Sequence, residues 1–528
     1  MPKNIVIFSD GTGQAGGINF DEARTNVYKL FRACRVGPDT CIDPGDQVAF
    51  YDPGLGSAAD GGRLKIGWMR TIYNGLSMAT GLGITKNIID CYAAIIRLYE
   101  DGDRVFLIGF SRGAYTVRSL AGVLKFCGIP RHLPGGEPLP LDPKGATRLA
   151  EHAVKDVYQF CSSYKKGETT AYRRFMMDTR SAIAAQFRAD RGSADGDKAN
   201  VVPYFIGVFD TVAALGHKWL SAVVVFGLLA ALAGLLLLGT WLSPAHPWWG
   251  GLATVSGWLI VAAAVVLYLK NYLKMAPALP GQSWVRRLAT IHFTRPKHKF
   301  YDTTLDPNVV YAKHAISIDE NRADFARVPW APTAEKAGKR DEHGNIYFEQ
   351  VWFPGVHADI GGGYIENEAR LSDIAMGWML AAASIIPDGL KHDSRVLTLR
   401  PDPCGPQHDE QAGGWLPKGL RALPTDGEVS RTTMHRSVYR RFTCGPVVLF
   451  DHRGPYLPPN VAVHVDFRDC FRPQGGQPAQ TPACMADDIE AKWAKAGFPG
   501  KLPVVAQTLA PEPVAPVTSQ RQPDQSAG

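Results

Sequence analysis

The chain has 528 residues, of which 45% are hydrophobic and 20% are charged, so most of it is expected to fold as one large or two smaller globular cores. The formal net charge of +7 is modest for this length, and we interpret it as spread along the chain. No basic run with interleaved aromatic residues is present, which argues against a nucleic-acid partner.

Nine cysteines are present, and no Cys-x-x-Cys pair brings two of them together. The odd number and the lack of paired spacing predict reduced thiols, as in a bacterial cytosol, rather than disulfides or a zinc site. The spacing of Asp10, Asp52 and Asp359 does not require a divalent ion, so neither a metal nor a cofactor is predicted. The first residues lead directly into an apolar strand, so no secretory signal is expected.

In the first 216 residues, short apolar runs alternate with segments of helical periodicity. Strands are predicted at residues 4–9, 47–51, 104–110 and 202–209, and helices at residues 25–34, 84–100 and 111–124. The run RVFLIGF at 104–110 is typical of a strand buried on both faces of a parallel sheet. The alternation predicts an α/β fold with a mostly parallel sheet flanked by helices.

Two runs in the middle of the chain, residues 219–241 and 248–269, contain no charged residue. Each is long enough to cross the hydrocarbon core of a bilayer, and a short Pro-containing turn joins them. They predict a transmembrane hairpin over residues 217–274. Lysines flank the hairpin and none lies in its turn, which places the rest of the chain in the cytoplasm. A buried helix pair and a lipid-embedded lid are the alternatives.

After the hairpin, the residue pattern is again typical of a globular protein, and it predicts a strand at 351–356 and a helix at 371–386. Residues 400–430 are predicted to form a loop, and residues 505–528 a disordered tail. We therefore divide the chain into two parts of one α/β-hydrolase-like domain (1–216 and 275–504), the inserted hairpin (217–274) and the tail.

The sequence Gly109-Phe110-Ser111-Arg112-Gly113 is a G-x-S-x-G motif between a predicted strand and a predicted helix. This is the setting of a nucleophile elbow, in which Gly109 and Gly113 let strand and helix approach while the Ser111 hydroxyl is exposed. The competing interpretation is a glycine-rich turn in which the serine caps the helix.

A serine nucleophile needs a base, and the base needs an acid that orients it. In α/β-hydrolases the chain order is serine, acid, histidine. Asp210 and His357 each follow a predicted strand in that order and are the predicted acid and base. Alternatives for them are a helix cap and a loop histidine. The rival bases are His314 and His435, and the rival acids are Asp319 and Asp359.

An oxyanion hole requires backbone N–H groups, one of which is expected from Arg112, the residue after the nucleophile. The second is expected from the loop at residues 10–13, through Gly11 or Thr12, because glycine permits close approach to a substrate. Phosphate binding by this loop is disfavoured, because the spacing of the phosphate-binding motifs is absent. Supporting roles are predicted for Asp10 and Asp359.

Six strings occur in order: FSDGTGQ (8–14), TNVYKL (25–30), YDPGLGS (51–57), GDRVFLIGFSRGAYTVRSLAG (102–122), IGVFDTV (206–212) and WFPGVHADIGGGY (352–364). Together they resemble the α/β-hydrolase domain of the Tle1-like type VI secretion phospholipase effectors over residues 3–126 and 200–390, more weakly at 434–442. The resemblance implies phospholipase A-like hydrolysis by Ser111, Asp210 and His357. The family's DGT motif falls on residues 10–12. The hydrophobic hairpin is not part of the family's common pattern.

The sequence therefore predicts a membrane-associated serine ester hydrolase, phospholipase A-like, that needs no cofactor. Hydrolysis of a soluble ester or thioester, or a non-catalytic membrane-anchored scaffold, is the alternative. The predicted partners are phospholipid and the bilayer, together with a secretion-apparatus, chaperone or immunity protein. The predicted location is the bacterial inner membrane, as a multi-pass protein, or alternatively the membrane of a target cell.

Overall fold

The computed structural model describes residues 2–11, 23–54, 82–161, 170–212, 247–293, 303–323, 325–411 and 419–471, with scattered residues between 233 and 244 and residue 491. Its central sheet contains β1 (Asn4–Ser9), β2 (Gln47–Asp52), β3 (Arg104–Phe110), β4 (Pro203–Phe209), β5 (Tyr311–Ser317) and β6 (Phe348–Phe353). Within the described ranges, three short antiparallel pairs lie outside this sheet.

All neighbouring strands of the central sheet are parallel, in the order β2–β1–β3–β4–β5–β6. The predicted α/β fold with a parallel sheet is thus confirmed. The direction in which successive strands are added reverses between β1 and β3. In open α/β sheets, ligand sites lie beyond the carboxyl ends of the strands at such a reversal, which directs attention to the residues after β1 and β3.

Ten α-helices are present in the part of the chain that the structure describes. They are α1 (Asn26–Cys34), α2 (Leu82–Leu98), α3 (Arg112–Cys127), α4 (Pro143–His152), α5 (Ala171–Arg191), α6 (Pro247–Tyr272), α7 (Trp284–Leu288), α8 (His357–Gly361), α9 (Arg370–Ser384) and α10 (Arg436–Phe442). A π-helical segment, Ala153–Tyr158, continues α4, and two 3-10 helices, Pro459–Val463 and Arg468–Phe471, follow α10.

The sheet is buried on both faces, because alternate residues of each central strand belong to different hydrophobic clusters. In β1, Ile5 and Ile7 pack against α2–α5, whereas Val6 and Phe8 pack against α1 and α9. This two-sided burial explains the nearly continuous apolar runs of the central strands.

A third cluster surrounds Trp352 and includes residues of α10 and the two 3-10 helices. Here a disulfide joins Cys404 to Cys444, whose Cα atoms are 5.9 Å apart. The prediction of reduced thiols was therefore wrong for this pair. The two cysteines are 40 residues apart in sequence, so a search for closely spaced cysteines could not detect them.

The predicted transmembrane hairpin is not supported. Its first run, residues 219–241, lies largely outside the described residues, and its second run lies in α6. No helix among the described residues is both long and apolar enough to cross a membrane. The prediction of a multi-pass inner-membrane protein required two adjacent spans, and it is not supported either. The predicted disordered tail also lies outside the described residues.

The strand β5 was not predicted from the sequence, because a lysine, a histidine and a serine interrupt its run YAKHAIS. Lys313 forms an ion pair with Glu349 of β6 at 3.0 Å, and His314 is fully buried. These polar side chains have partners on the neighbouring strand, so a strand without a continuous apolar run can still occupy the interior of the sheet.

Candidate active site

Ser111 lies at the turn between β3 and α3, with φ 58° and ψ −119°. A positive φ is strained for a residue other than glycine, and such strain is often stored at functional sites. The Ser111 N–H donates to Phe209 O at 3.1 Å, which ties the turn to the end of β4. The serine thus occupies the strained strand-to-helix turn that the G-x-S-x-G motif predicts.

The two motif glycines are required by close backbone contacts on either side of Ser111. A Cβ atom on Gly113 would lie 2.0 Å from Ser9 O, and one on Gly109 would lie 2.5 Å from Gly113 O. Any side chain at either position would push α3 away from the sheet. The motif glycines are therefore explained by packing of the turn against β1 and α3.

The structure brings Asp210 and His357 together at the carboxyl edge of the sheet. Asp210 follows β4 and His357 begins α8, and His357 Nδ1 donates to Asp210 Oδ2 at 2.6 Å. His357 Nε2 is buried and has no hydrogen-bond partner among the described residues. The imidazole packs against Phe110, next to Ser111 in the chain, with ring centroids 4.6 Å apart. Nε2 is therefore the nitrogen available to take a proton.

Asp210 is completely buried and accepts four hydrogen bonds. The donors are His357 Nδ1, the Ser317 N–H at 3.1 Å, and both terminal nitrogens of Arg421. Burial alone would raise the pKa of Asp210, but the charge of Arg421 and the hydrogen bond from His357 hold this pKa well below its usual range. The carboxylate therefore stays ionised although it is fully buried.

Glu320 holds the backbone of the histidine. Its Oε2 accepts the His357 N–H at 3.0 Å, and its Oε1 accepts from Arg322 Nε at 2.7 Å. Burial would raise the pKa of Glu320, but the Arg322 guanidinium lowers it. Arg322 lies over the Phe325 ring, which makes an edge contact with the His357 imidazole. Neither Glu320 nor Arg421 belongs to a motif, and sequence analysis missed both.

The loop after β1 is held by Asp10. Its Oδ2 accepts from Thr25 Oγ1 at 2.6 Å and from the Tyr51 hydroxyl at 2.7 Å, and its Oδ1 accepts the Gly11 N–H at 2.6 Å. The Gly11 N–H thus already donates a hydrogen bond to Asp10. Thr12, the other predicted oxyanion residue of this loop, lies outside the described residues.

Arg112 is the first residue of α3, where backbone N–H groups have no acceptor within the helix. Its N–H is therefore placed as a nucleophile elbow requires. Burial lowers the pKa of its side chain to about 10.

Asn26, in the motif at residues 25–30, connects α1 to the short helix that His357 begins. Asn26, at the start of α1, donates through Nδ2 to Ile360 O at 2.9 Å and to Ser372 O at 3.0 Å. Ile360 belongs to α8, the short helix that His357 begins. The motifs at residues 25–30 and 352–364 are therefore joined directly by the hydrogen bond from Asn26 to Ile360.

The two rival acids have partners other than His357. Asp359 Oδ1 accepts from His408 Nδ1 at 2.7 Å, and its Oδ2 accepts the Val356 N–H at the start of α8. Asp319 accepts the Gly355 N–H at 2.6 Å and the Tyr456 hydroxyl at 2.9 Å. Burial raises the pKa of Asp319 to about 6. Both carboxylates support the loop before α8 rather than the imidazole itself.

The two rival bases also have structural partners. His314 Nε2 accepts the Thr211 N–H at 3.4 Å, and burial holds its pKa well below the usual value. His435 caps α10 through Ser437, and burial lowers its pKa to about 3. Neither imidazole hydrogen-bonds to Asp210. Over the described ranges, no three His, Cys, Asp or Glu side chains are grouped so that they could hold a metal ion.

Ser111, Asp210 and His357 follow three different strands of one parallel sheet, in the chain order serine, acid, histidine. A protein of the α/β class with a serine at a strained strand–helix turn has the layout of an α/β-hydrolase. The model of one family, described as "T6SS, Phospholipase effector Tle1-like, catalytic domain", matches residues 3–229 and 276–382. The chain belongs to this family, and membership supports a phospholipase-type hydrolase.

Three relatives illustrate how far the likeness extends. An uncharacterized protein of Saccharomyces cerevisiae is 28% identical over 217 residues, which cover 40% of this chain and 27% of the yeast protein. A crystal structure of an uncharacterized protein from Pseudomonas aeruginosa has 15% identity and a TM-score of 0.31, covering 75% of this chain and 47% of that one. A Tle1 effector bound to the VgrG spike of the type 6 secretion system has 16% identity and a TM-score of 0.28, covering 70% of this chain and 53% of that one. Similarities this low do not support an assignment of activity or partner.

Proposed function

We propose that this chain is a serine hydrolase that cleaves acyl esters of glycerophospholipids. The observation that carries the proposal is the buried Asp210–His357 hydrogen bond beside the strained Ser111 turn. This is the acid–base–nucleophile combination of covalent acyl transfer. The phospholipid substrate rests on the family description.

In the proposed reaction, Ser111 Oγ attacks the acyl carbonyl carbon while His357 Nε2 takes the hydroxyl proton. Asp210 holds the imidazole in the tautomer that leaves Nε2 free, and it stabilises the imidazolium that forms. Collapse of the tetrahedral intermediate breaks the ester bond, and His357 returns the proton to the departing lysolipid oxygen. Water then attacks the acyl-serine by the same route, releasing fatty acid and restoring Ser111.

The oxyanion of the intermediate needs preorganised N–H donors. We assign one to Arg112 at the start of α3 and the second to the loop after β1. Of the two residues predicted for this role, we assign it to Thr12, since the Gly11 amide already donates to Asp10.

The test is release of fatty acid from mixed phospholipid vesicles by the wild-type protein and by Ser111→Ala. We expect the variant to lose at least about 10³-fold in rate, because no other group can form the acyl-enzyme. Ser119→Ala is the matched control, since Ser119 is a buried serine of α3, the helix that follows Ser111, and has no hydrogen-bond partner among the described residues. It should retain activity.

The alternatives give different outcomes in the same assay. No release from vesicles, with hydrolysis of a short-chain soluble ester that depends on Ser111, would move the assignment to a soluble ester or thioester. No reaction of folded protein with a fluorophosphonate probe at Ser111 would favour the non-catalytic scaffold.

We also propose that the chain contacts the lipid surface through the region that follows β4. Residues 211–301 contain eight Lys and Arg and no Asp or Glu, whereas the rest of the chain has 49 Lys and Arg against 50 Asp and Glu. The positive charge is thus concentrated in one segment, and our sequence-based view that it is spread along the chain was wrong. A cationic segment of this kind is attracted to anionic lipid.

The same segment exposes large apolar side chains. Trp258 and Val266 of α6 are more than half exposed, as are Trp284 of α7 and Phe293 after it. Exposed aromatic and aliphatic residues beside basic residues are typical of surfaces that lie at the membrane interface. Both features are found in the part of the chain that also contained the predicted hairpin.

Co-sedimentation with vesicles tests this contact. We expect stronger binding to vesicles that contain phosphatidylglycerol than to pure phosphatidylcholine, and weaker binding as salt rises. The double variant Lys270→Glu, Arg286→Glu should lose this preference, because both side chains are exposed within the acid-free segment. Lys144→Glu, an exposed charge reversal on α4, should not. Equal binding of wild type and the double variant would refute the lipid contact.

Membership in a type VI secretion effector family also suggests a component of the secretion apparatus as a partner, and a target-cell membrane as the place of action. We assign no residue to that contact.

A further inference from the structure

We infer that Arg421 is a positioning residue of the proposed triad, which grips both carboxylate oxygens of Asp210 and offsets its charge while His357 acts as the base. The inference rests on the proposed function. It extends beyond the family match, which ends at residue 382.

The contact is a fork that only a guanidinium can make. Arg421 Nη1 donates to Asp210 Oδ1, and Nη2 donates to Oδ2 at 3.1 Å. The same nitrogens donate to Ser317 O at 3.2 Å and to Phe325 O at 2.9 Å. The Arg421 side chain is 6% exposed and that of Asp210 is 0% exposed. Such a bidentate, buried pair fixes the carboxylate in plane and direction, which a lysine cannot do.

The backbone of Arg421 is tied to the residue that holds the histidine. Its N–H donates to Glu320 O at 3.0 Å, and Asn460 Nδ2 donates to its carbonyl oxygen at 2.8 Å. Glu320 accepts the His357 N–H through its side chain. Arg421, which holds Asp210, and His357 are therefore both hydrogen-bonded to Glu320. This shared partner fixes the guanidinium relative to the imidazole.

The clamp has an electrostatic consequence for the base. In a triad whose acid has no cationic partner, the carboxylate stabilises the imidazolium that forms during the reaction. Here the guanidinium offsets part of that negative charge, so the imidazolium is favoured less. Asp210 therefore remains ionised in spite of its burial.

Other charged groups near Asp210 and His357 do not replace Arg421. The ionisable groups that face these two residues from neighbouring segments are Arg327, His314, Glu320 and Arg322. Glu320 and Arg322 offset each other as an ion pair at 2.7 Å. Burial lowers the pKa of His314, which keeps this imidazole neutral. Arg327 is therefore the remaining cation, and no hydrogen bond from it to Asp210 is present.

The test is the pH profile of kcat/KM on a soluble chromogenic ester for wild type, Arg421→Gln and Arg421→Lys. The acidic limb reports protonation of the base. Arg421→Gln leaves the Asp210 charge uncompensated, so the limb should move to higher pH by about one unit, with at least about a tenfold loss of activity. Arg421→Lys keeps the positive charge but loses the two-nitrogen contact. It should therefore lower activity without moving the acidic limb of the pH profile.

Arg441→Gln is the matched control. Arg441 is also fully buried, but it donates to the carbonyl oxygens of Pro403 and Gly405 rather than to Asp210. Its loss should lower the melting temperature without moving the acidic limb. A limb that stays in place in Arg421→Gln, or that moves equally in Arg441→Gln, would overturn the positioning role.

A thermal double-mutant cycle covers the case in which Arg421→Gln folds poorly. Removing one partner of a buried ion pair is costly, whereas removing both leaves no uncompensated charge. We therefore expect Asp210→Asn, Arg421→Gln to regain most of the melting temperature that Arg421→Gln loses. If the losses of melting temperature in the two single variants simply added in the double variant, the proposed Arg421–Asp210 contact would be overturned. A wild type inactive on every ester would instead refute the proposed function, while the cycle still tests the clamp.

Discussion

At the scale of single residues, Gly113 shows how tightly the serine turn is constrained. The space for its side chain is occupied by Ser9 O, a backbone atom of the neighbouring strand that cannot rotate away. The helix α3, which carries the proposed oxyanion donor Arg112, and the strand β1 are therefore in direct backbone contact. This contact fixes the start of α3 against the end of β1.

Gly113→Ala should accordingly reduce ester hydrolysis by at least about 100-fold and destabilise the fold by roughly 1–3 kcal/mol, because α3 must move to admit the Cβ atom. Initial rates and urea unfolding measure the two effects. Gly445→Ala is the control, since nothing lies within 4 Å of its added Cβ atom. An active, fully stable Gly113→Ala protein would show that the described turn is not the catalytic one.

The sequence predicted some residues of the candidate site but not others. Ser111 was inferred from a local motif, and Asp210 and His357 from their order after predicted strands. Arg421 contacts Asp210 from 211 positions further along the chain, in a segment predicted only as a loop. No local pattern marks such a contact, because the ion pair exists only once the loop packs against the end of the sheet.

At the scale of elements, α8 depends on its surroundings. It has five residues, and isolated helices of that length are not stable in water. Asn26, Glu320 and Asp359 each bond to its backbone or to the turn that begins it. Asp359 in turn is held by His408, whose ring stacks on Tyr364. The position of His357, the proposed base, is therefore an outcome of tertiary contacts.

The His408–Asp359 contact predicts a pH-dependent term in stability. Burial alone would lower the pKa of His408, but the hydrogen bond that it donates to Asp359 raises it. A histidine whose pKa is raised by folding contributes stability that is fully present below about pH 6.5 and is lost as pH rises through the folded value. The melting-temperature difference between wild type and His408→Gln should therefore be largest near pH 6 and shrink by pH 9.

His452→Gln is the matched control for that measurement. His452 also contacts an aspartate, Asp451, but both side chains are largely exposed. Exposed pairs of this kind contribute little. A His408→Gln difference that is constant with pH, or one that grows toward pH 9, would contradict the assignment.

At the scale of the whole molecule, a disulfide joins two distant parts of the third hydrophobic cluster. Cys404 lies four residues before His408, and Cys444 follows α10. Closing a loop of 40 residues is worth roughly 3–4 kcal/mol by chain entropy. The bond therefore stabilises the segment that supports the loop before α8.

Reduction with dithiothreitol should lower the melting temperature of the wild-type protein by several degrees. The variant Cys404→Ser, Cys444→Ser should start lower and show no further change on reduction. Cys41→Ser, which removes an exposed free thiol, should behave like wild type. An equal response of all three proteins to the reductant would show that the bond has no stabilising role.

The sequence by itself determined the alternation of strands and helices, the two-sided burial of the sheet, and the family. These depend on local periodicity and short motifs, which a chain carries before it folds. The tertiary structure decided the polar strand β5, the Cys404–Cys444 pairing, the grip of Arg421 on Asp210, and the engagement of the Gly11 amide by Asp10. Each is a contact between groups whose partner is chosen by packing, since a buried polar or charged group is tolerated only where the fold supplies its partner.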